Sequence, residues 1–356
     1  MPLIIAEAGV NHNGSEKLAL ELVEAAHAAG ADIVKFQTFK ADLIATPSAE
    51  KANYQKRNTS ESESHLEMLK NLELSESAHF TLRNRCRELG IEFLSTAFDL
   101  QSLSFLVREV GLERLKIPSG ELTNAPLLLV HAKYGKDLIV STGMADMAEI
   151  ETALGVIAFG LIGSDKPPNK AAFESAFKSQ AGQRELKSRV TLLHCTSEYP
   201  APIDQVHLNA MHSMHKKFEL DVGYSDHTQG IAVPIAATAI GASVIEKHFT
   251  LDKKMDGPDH KASLEPDELR SMVDGIRSAH LALGVAAKEI QPSEMVNRNI
   301  ARKSIVASRD IEEGEFFSPE NLSIKRPGTG LSPINYWELL DTKSSRKYRR
   351  GEIIDG

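Results

Sequence analysis

The chain of 356 residues has 42% hydrophobic and 25% charged residues, an ordinary composition for a soluble globular protein. Its length is sufficient for one large domain and one small one. A formal net charge of −8 argues against a general binder of nucleic acids or acidic membranes, so an anionic substrate needs a local basic pocket.

The cysteines and the short apolar runs predict a cytoplasmic protein. Cys86 and Cys195 lie far apart, which indicates a reducing compartment and provides no zinc-finger spacing. The N-terminal apolar run stops at Glu7, so we expect no secretory signal. No apolar stretch approaches the ~20 residues that a membrane-spanning helix needs.

Eight short apolar runs predict the strands of a (β/α)8 barrel. Helical patterns separate them, as at 75–89, where Ser75 is a plausible N-cap and Gly90 a C-terminal stop. Eight strand–helix alternations over about 250–280 residues are typical of this barrel. A doubly wound open sheet is the main competing fold, but the chain has no G-x-G-x-x-G motif. The predicted strands are 3–7, 33–37, 92–96, 114–117, 138–142, 190–195, 220–223 and 243–248.

Two long polar segments interrupt the barrel pattern. Residues 38–69 follow the second strand and contain Tyr54 and Gln55, and connections this long at a barrel mouth are usually functional. We therefore expect a functional lid or contact segment there. Residues 163–188 predict a surface insertion in the fifth strand–helix unit, to which the sequence assigns no function.

The character of the chain changes after Gly284. The barrel is predicted to span 1–284, a polar linker 285–300, and a small, irregular β domain 301–356. A piece of roughly 55 residues has little core of its own, so we expect it to dock on another surface.

Two histidines indicate a metal site. Gly-Tyr-Ser-Asp-His-Thr at 223–228 and Glu-Lys-His-Phe-Thr at 246–250 each end a predicted strand with a histidine. The two strands flank one helix, so they are parallel and end on the same side. His227 and His248 can therefore face one another and hold a catalytic divalent metal with open positions. In the alternative interpretation, each histidine only caps its strand and bonds to a backbone group.

Two lysines in predicted strands point to an anionic substrate. Lys35 lies two residues from Gln37, so period-2 geometry puts both on one face, and Lys116 belongs to another strand. A buried lysine must be paired or must face a ligand. Salt bridges to Glu7 or Glu121, or a Schiff-base aldolase lysine, are the alternatives. Further polar residues at strand ends or in the loop after the eighth strand are Thr96, Ser119, Ser141, Tyr199, Ser225 and Asp259.

These segments together resemble the bacterial sialic acid synthases, which make N-acetylneuraminate, and their relatives that make legionaminic acid. The resemblance rests on 5–14, 34–38, 116–121, 225–228 and 246–250 and covers nearly the whole chain. The tail, with Lys-Arg-Pro-Gly-Thr-Gly at 325–330, is similar to the family's antifreeze-like (SAF) domain. Two features depart from the family pattern: Ser197 stands where some members carry Asn, and 339–343 lacks an expected glycine.

The resemblance implies an enzyme that condenses phosphoenolpyruvate with the open-chain aldehyde of an N-acetylated hexose. It implies a divalent metal, typically Mn²⁺ with Mg²⁺ or Co²⁺ as alternatives, held by His227 and His248. It also implies a domain-swapped homodimer in which Arg326 reaches the active site of the other subunit. The implied phosphoenolpyruvate residues are Lys35, Thr96, Lys116, Ser119, Ser141 and Ser225; the implied sugar-side residues are Gln37, Tyr199, Asp259 and Arg326; and the implied acidic residues are Glu7 and Glu121.

The main functional prediction is an N-acetylneuraminate synthase that uses N-acetylmannosamine. The alternative within the family is a legionaminic acid synthase that uses 2,4-diacetamido-2,4,6-trideoxymannose. Another phosphoenolpyruvate-condensing or aldol-type barrel is a more distant enzyme alternative. A non-catalytic sugar- or ice-binding protein built on the small domain would not need His227, His248, Lys35 and Lys116 together.

Overall fold

A computed structural model describes residues 1–60 and 62–355 of the chain. They form two compact units, Met1–Gly284 and Val285–Gly356. No helix in these described residues combines the length and apolar character needed to cross a lipid bilayer.

The first unit is a closed parallel barrel, which confirms the predicted fold class. Strand order follows the sequence, and β1 closes the ring against β8, with Glu7 in register with His248. The strands are largely apolar because helices cover the outer face while the barrel fills its own interior. The strands are β1 (Leu3–Gly9), β2 (Ile33–Thr38), β3 (Glu92–Ala97), β4 (Arg114–Ile117), β5 (Asp137–Ser141), β6 (Val190–Cys195), β7 (Asp221–Asp226) and β8 (Val244–His248).

Helices follow the strands around the barrel, and their caps match the sequence signals. The Ser75 hydroxyl accepts a hydrogen bond from the Ala78 amide, and Gly90 ends that helix at φ 77°. The helices are α1 (Glu16–Ala29), α2 (Ala41–Ile44), α3 (Asn53–Asn58), α4 (His65–Leu72), α5 (Glu76–Leu89), α6 (Leu100–Phe105) with a π-helical turn (Leu106–Val110), α7 (Ala125–Lys133), α8 (Met147–Leu161), α9 (Lys170–Lys178), α10 (Gln180–Arg189), α11 (Ala210–Phe218), α12 (Ala232–Ala239) and α13 (Pro266–Leu283).

The two long polar segments are helical rather than irregular. Residues 38–69 contain α2, α3 and the start of α4, and residues 163–188 contain α9 and most of α10. Phe173 of α9 packs edge-to-face on Phe159 of α8, with ring centroids 5.2 Å apart. A Cβ on Gly155 of α8 would lie 3.0 Å from the Phe173 carbonyl oxygen, so the glycine permits this close approach. The insertion is therefore anchored on α8.

The second unit has a small core of its own. The predicted linker at 285–300 contains most of helix α14 (Pro292–Ala301), which begins with a proline and a capping box from Gln291 to Glu294. Strands β9 (Ser304–Ala307) and β10 (Leu322–Lys325) pair antiparallel, and a short helix α15 (Tyr336–Leu339) follows. Without the expected glycine, Asp341 takes φ 63° in the left-handed region. The buried core residues are Ile305, Ala307, Ile311, Phe317, Leu322, Tyr348 and Ile354.

Candidate active site

A cavity of about 430 Å³ opens at the carboxyl ends of the barrel strands. Barrel enzymes carry their active sites at this end. The barrel residues predicted from the sequence all line this cavity: Glu7, Lys35, Gln37, Thr96, Lys116, Ser119, Glu121, Ser141, Tyr199, Ser225, His227, His248 and Asp259.

Arg326 belongs to the second unit. Its side chain is exposed, and its Nε donates to the Ala301 carbonyl oxygen at 3.0 Å. Its expected role in the site of another subunit stays a prediction.

Two lysines and two glutamates form a buried charge cluster at the base of the cavity. Lys35 Nζ lies 2.6 Å from Glu7 Oε2 and 3.5 Å from Glu246 Oε2. Lys116 Nζ donates to both oxygens of Glu246, at 2.8 and 3.0 Å. The side chains of all four are at most 5% exposed. The alternative of a salt bridge to Glu7 is therefore also present, at Lys35 and inside the candidate site, whereas Lys116 pairs with Glu246 and not with Glu121.

The cluster shifts the pKa values of its members in opposite directions. Burial alone would raise the pKa of Glu246, but Lys116 and Lys35 outweigh burial and lower it. Burial lowers the pKa of Lys116 beyond what Glu246 restores, whereas Glu246 and Glu7 overcome the same effect at Lys35 and raise its pKa. Burial raises the pKa of Glu7 despite Lys35. Glu7 is therefore the carboxylate of the cluster that accepts a proton more readily.

Glu246 is a site residue to which the sequence analysis gave no role. It accepts hydrogen bonds from Lys116 and, at 2.7 Å, from the Ser225 hydroxyl. The available signal was its spacing, because Glu246 lies two residues before His248 and shares its face of β8.

The predicted histidine pair lies at one side of the cavity. The ring centroids of His227 and His248 are 5.6 Å apart. His227 Nδ1 lies 2.7 Å from the Thr196 carbonyl oxygen, to which it donates when Nδ1 carries the proton. The backbone-bonding alternative is thus correct for that nitrogen, but Nε2 keeps a lone pair. Burial lowers the pKa of His227 to about 4 and that of His248 well below its ordinary value, so both rings are neutral.

The histidine pair fits an open divalent-metal site. His248 Nδ1 is buried, has no hydrogen-bond partner among the described residues and lies 3.9 Å from Asp259 Oδ2. Within residues 1–60 and 62–355, no group of three or more His, Cys, Asp or Glu side chains is arranged to hold a metal. Two neutral imidazoles with the remaining positions open are typical of a catalytic rather than a structural site.

Hydroxyl groups gather around Gly143 on another side of the cavity. The Ser119 hydroxyl accepts from the Gly143 amide at 3.0 Å and lies 3.2 Å from Cys195 Sγ. A Cβ on Gly143 would lie 2.3 Å from Ser197 Oγ and 2.8 Å from Ser119 Oγ. A side chain at this position would therefore occupy the space between hydroxyls that can bind an anion's oxygens.

The other predicted residues surround these groups. The Thr96 hydroxyl accepts from Lys35 at 3.1 Å, and Gln37 Nε2 donates to Glu7 at 3.3 Å. Glu121 ends a 3₁₀ turn at the rim, where it accepts from Asn124 at 2.7 Å. Burial and then the Glu7 charge raise the pKa of Asp259 to about 7.

Helix α3 contributes Tyr54 and Gln55 to the lining of the cavity. The expected role of this segment as a lid or contact stays a prediction. The ring of Tyr54 packs at a tilt against that of Tyr199, with centroids 4.8 Å apart, and the centroids of the Tyr199 and His227 rings are 4.1 Å apart. Asn58 Nδ2 donates to the Pro258 carbonyl oxygen at 2.8 Å, and Arg57 lies 3.5 Å from Glu198. These contacts tie the helix to the loops after β6 and β8.

Known proteins match this chain along almost its entire length. The NeuB family model matches residues 22–288, and the SAF domain model matches residues 302–355. The N,N'-diacetyllegionaminic acid synthase of Campylobacter jejuni is 49% identical, covering 99% of this chain and 98% of the relative. The enzyme of that name from Legionella pneumophila is 46% identical, covering 99% and 92%.

Solved structures match the fold. The N-acetylneuraminic acid synthetase of Leptospira borgpetersenii superposes with a TM-score of 0.65 at 33% identity, covering 83% of this chain and 90% of that chain. The relatives with the higher identities carry the legionaminic name, so they favour the predicted alternative over the neuraminate interpretation.

Proposed function

The chain belongs to the NeuB family and carries a SAF domain, and from this premise we propose that it is an N,N'-diacetyllegionaminic acid synthase. It would condense phosphoenolpyruvate with the open-chain aldehyde of 2,4-diacetamido-2,4,6-trideoxymannose. The products are phosphate and a nine-carbon 2-keto acid sugar. We choose this acceptor over N-acetylmannosamine because of the sequence identity between this chain and the two legionaminic acid synthases.

One observation carries the reaction class: two buried lysines and two neutral histidines line the same cavity. Lys35 and Lys116 would neutralise the phosphate and carboxylate of phosphoenolpyruvate. The hydroxyls around Gly143, including that of Ser119, would donate hydrogen bonds to the anion's remaining oxygens. Thr96, Ser141 and Ser225 lie within reach of the same cavity.

The histidines would bind the metal through His227 Nε2 and a ring nitrogen of His248. When bound, a divalent cation such as Mn²⁺ supplies Lewis-acid polarisation of the aldehyde oxygen. A cytosolic location and Mn²⁺ as the resident metal are part of the proposal.

Glu7 would handle the proton of the attacking water. C3 of phosphoenolpyruvate forms a bond to the aldehyde carbon, which leaves a cation-like centre at C2. Water adds to C2 and gives one proton to Glu7, whose pKa burial raises, and Glu7 passes that proton to the alkoxide left on the former aldehyde carbon. The bond between C2 and the phosphate oxygen then breaks, the C2 hydroxyl gives its proton to the departing phosphate, and the 2-keto group forms. Lys35, 2.6 Å from Glu7, stabilises the carboxylate before the transfer.

We further propose the domain-swapped homodimer, with Arg326 binding the sugar in the barrel of the other subunit. Support comes from the exposed side chain of Arg326 and from a guanidinium that matches an acetamido carbonyl or hydroxyl. Its Nε donates to the Ala301 carbonyl oxygen, and its terminal nitrogens have no hydrogen-bond partner among the described residues.

The test is phosphate release from phosphoenolpyruvate by the full chain with Mn²⁺. Three reactions are compared: 2,4-diacetamido-2,4,6-trideoxymannose, N-acetylmannosamine and no sugar. We expect release with the diacetamido sugar at a kcat/KM at least about 10-fold above that with N-acetylmannosamine. Preference for N-acetylmannosamine would establish the neuraminate alternative, and no release with either sugar by folded, metal-loaded protein would refute the synthase.

A further inference from the structure

Part of the active-site cavity is apolar, and the reaction proposed above does not use that part. Phe39, Ile44, Met68, Leu69 and Leu72 line the cavity together with the charged cluster. They belong to one apolar cluster, in which Met68 and Leu72 are buried and Leu69 is half-buried. We call these five residues the lid wall, because they lie between the end of β2 and the end of α4.

Packing and helix capping hold the lid wall in place in the described structure. Phe39 packs edge-to-face on Phe98, with ring centroids 6.1 Å apart. Helix α4, which carries Met68, Leu69 and Leu72, begins with a capping box between Ser64 and Glu67. Its residues are therefore held in place by the fold before any ligand binds.

One polar atom accompanies the lid wall. His65, the first residue of α4, lines the same cavity, and its Nδ1 is buried without a hydrogen-bond partner among the described residues. Burial lowers the pKa of His65, so the ring is neutral and can donate one hydrogen bond and accept another. Because His65 lines the cavity, a ligand amide there can form a hydrogen bond with the part of the imidazole ring that faces the cavity.

An apolar surface with one polar atom matches one part of the proposed acceptor. The 2,4-diacetamido-2,4,6-trideoxy sugar carries a methyl group at C6 and an acetamido group at C4, where N-acetylmannosamine carries hydroxyls. A hydroxyl buried against the wall would lose its water without gaining a partner. The methyl groups gain from burial there, and the C4 amide can bond His65.

From these observations, and resting on the proposed synthase function, we infer that the lid wall and His65 form the subsite that selects the 6-deoxy, 4-acetamido acceptor. The aldehyde end of the sugar would lie at the histidine pair and the C4–C6 end against the wall. The subsite belongs to the segment 39–72, which follows β2, rather than to the barrel strands.

The test measures kcat/KM for both acceptor sugars in a Leu69→Gln variant. The change keeps the side-chain size and makes the wall polar, so the ratio of the diacetamido sugar to N-acetylmannosamine should fall about 10-fold or more. The KM for phosphoenolpyruvate should stay at the wild-type value. Leu69→Met should keep the wild-type ratio, because it is apolar and of similar volume.

Leu43→Gln is the matched control, since Leu43 is 58% exposed and neighbours wall residue Ile44 in α2. It should leave both sugars unaffected. An unchanged sugar ratio in Leu69→Gln, or an equal loss for both sugars, would overturn the subsite while wild-type turnover still supports the synthase. Wild-type protein without turnover would instead refute the proposed function itself.

A His65→Phe variant tests the polar contact separately. The KM for the diacetamido sugar should rise about 10-fold, with that for N-acetylmannosamine unchanged. An equal rise for both sugars, or no rise for either, would remove His65 from the subsite.

Discussion

Lys116 of β4 donates hydrogen bonds to both carboxylate oxygens of Glu246 of β8, although 130 residues separate them. In a closed ring of eight strands in sequence order, β4 and β8 lie on opposite sides. The pair therefore spans the barrel at the base of the cavity, and Lys35 of β2 joins it from a third direction. This arrangement gathers the charges that the proposed chemistry needs at one place.

Removing the charge of Glu246 should destabilise the protein. In Glu246→Gln, the buried Lys116 ammonium loses its counter-ion, and we expect the free energy of unfolding to fall by about 3 kcal/mol. Urea denaturation of both proteins at neutral pH measures the difference. Glu50→Gln is the control, because the Glu50–Lys56 pair at 2.7 Å is 81% and 49% exposed. A Glu246→Gln variant as stable as wild type would contradict the tight pairing of this cluster.

We expect phosphate release to depend on a metal that the histidine pair binds. We expect a chelator to abolish phosphate release and Mn²⁺ to restore it, and His227→Ala to lower Mn²⁺ affinity at least about 100-fold. Calorimetric titration of the chelated protein with Mn²⁺ provides the measurement. His212→Ala, which changes an exposed histidine of α11, should bind metal as wild type does. Wild-type metal binding by His227→Ala would remove His227 from the proposed ligand set.

The space at Gly143 should be needed for phosphoenolpyruvate. In Gly143→Ala, the new methyl group displaces the Ser197 and Ser119 hydroxyls, so the KM for phosphoenolpyruvate should rise about 10-fold. The KM for the acceptor sugar should change much less. Gly120→Ala is a matched comparison, because a Cβ there meets nothing within 4 Å. Equal effects of the two substitutions would argue against an anion site at Gly143.

Acid should destabilise the barrel in part through His131. This residue is fully buried in α7, its Nε2 has no partner among the described residues, and burial lowers its pKa from 6.5 to about 4. The unfolded chain binds this proton below pH 6.5 but the native chain does not, so stability falls as the pH drops from 6.5 towards 4.

Over that pH range, His131→Phe should lose less stability than wild type, by on the order of 3 kcal/mol. Unfolding free energies at several pH values give the two slopes. The surface variant His212→Phe should follow the wild-type profile. Parallel profiles for His131→Phe and wild type would show that this histidine is not the acid-sensitive group.

The proposed domain swap makes Arg326 act on the site of the other subunit. His227→Ala and Arg326→Ala should each be nearly inactive, but an equal mixture should regain about one quarter of wild-type activity after subunit exchange. The activity comes from mixed dimers in which one barrel and one arginine are both intact. No recovery in a mixture shown to exchange subunits would place Arg326 in its own chain's site or outside any site.

Local sequence patterns predicted the barrel and most of the site. Short apolar runs located the strands, and strand–helix order put their carboxyl ends at one mouth, where Lys35, Lys116, His227 and His248 lie. The short helices in the lid segment and α14 were harder to recognise, because short polar helices depend on caps and tertiary contacts more than on periodicity. The acceptor preference came from the relatives.

The sequence by itself determined which residues end the strands, because short apolar runs and strand–helix order are local properties of the chain. Only the tertiary structure decided which of these residues meet. Glu246 joined Lys116 across the barrel, and the lid wall came to line the same cavity, because tertiary folding brings together groups that are distant in the chain. The pKa shifts of Glu7 and Lys116 likewise arise from burial among charges, which no local pattern specifies.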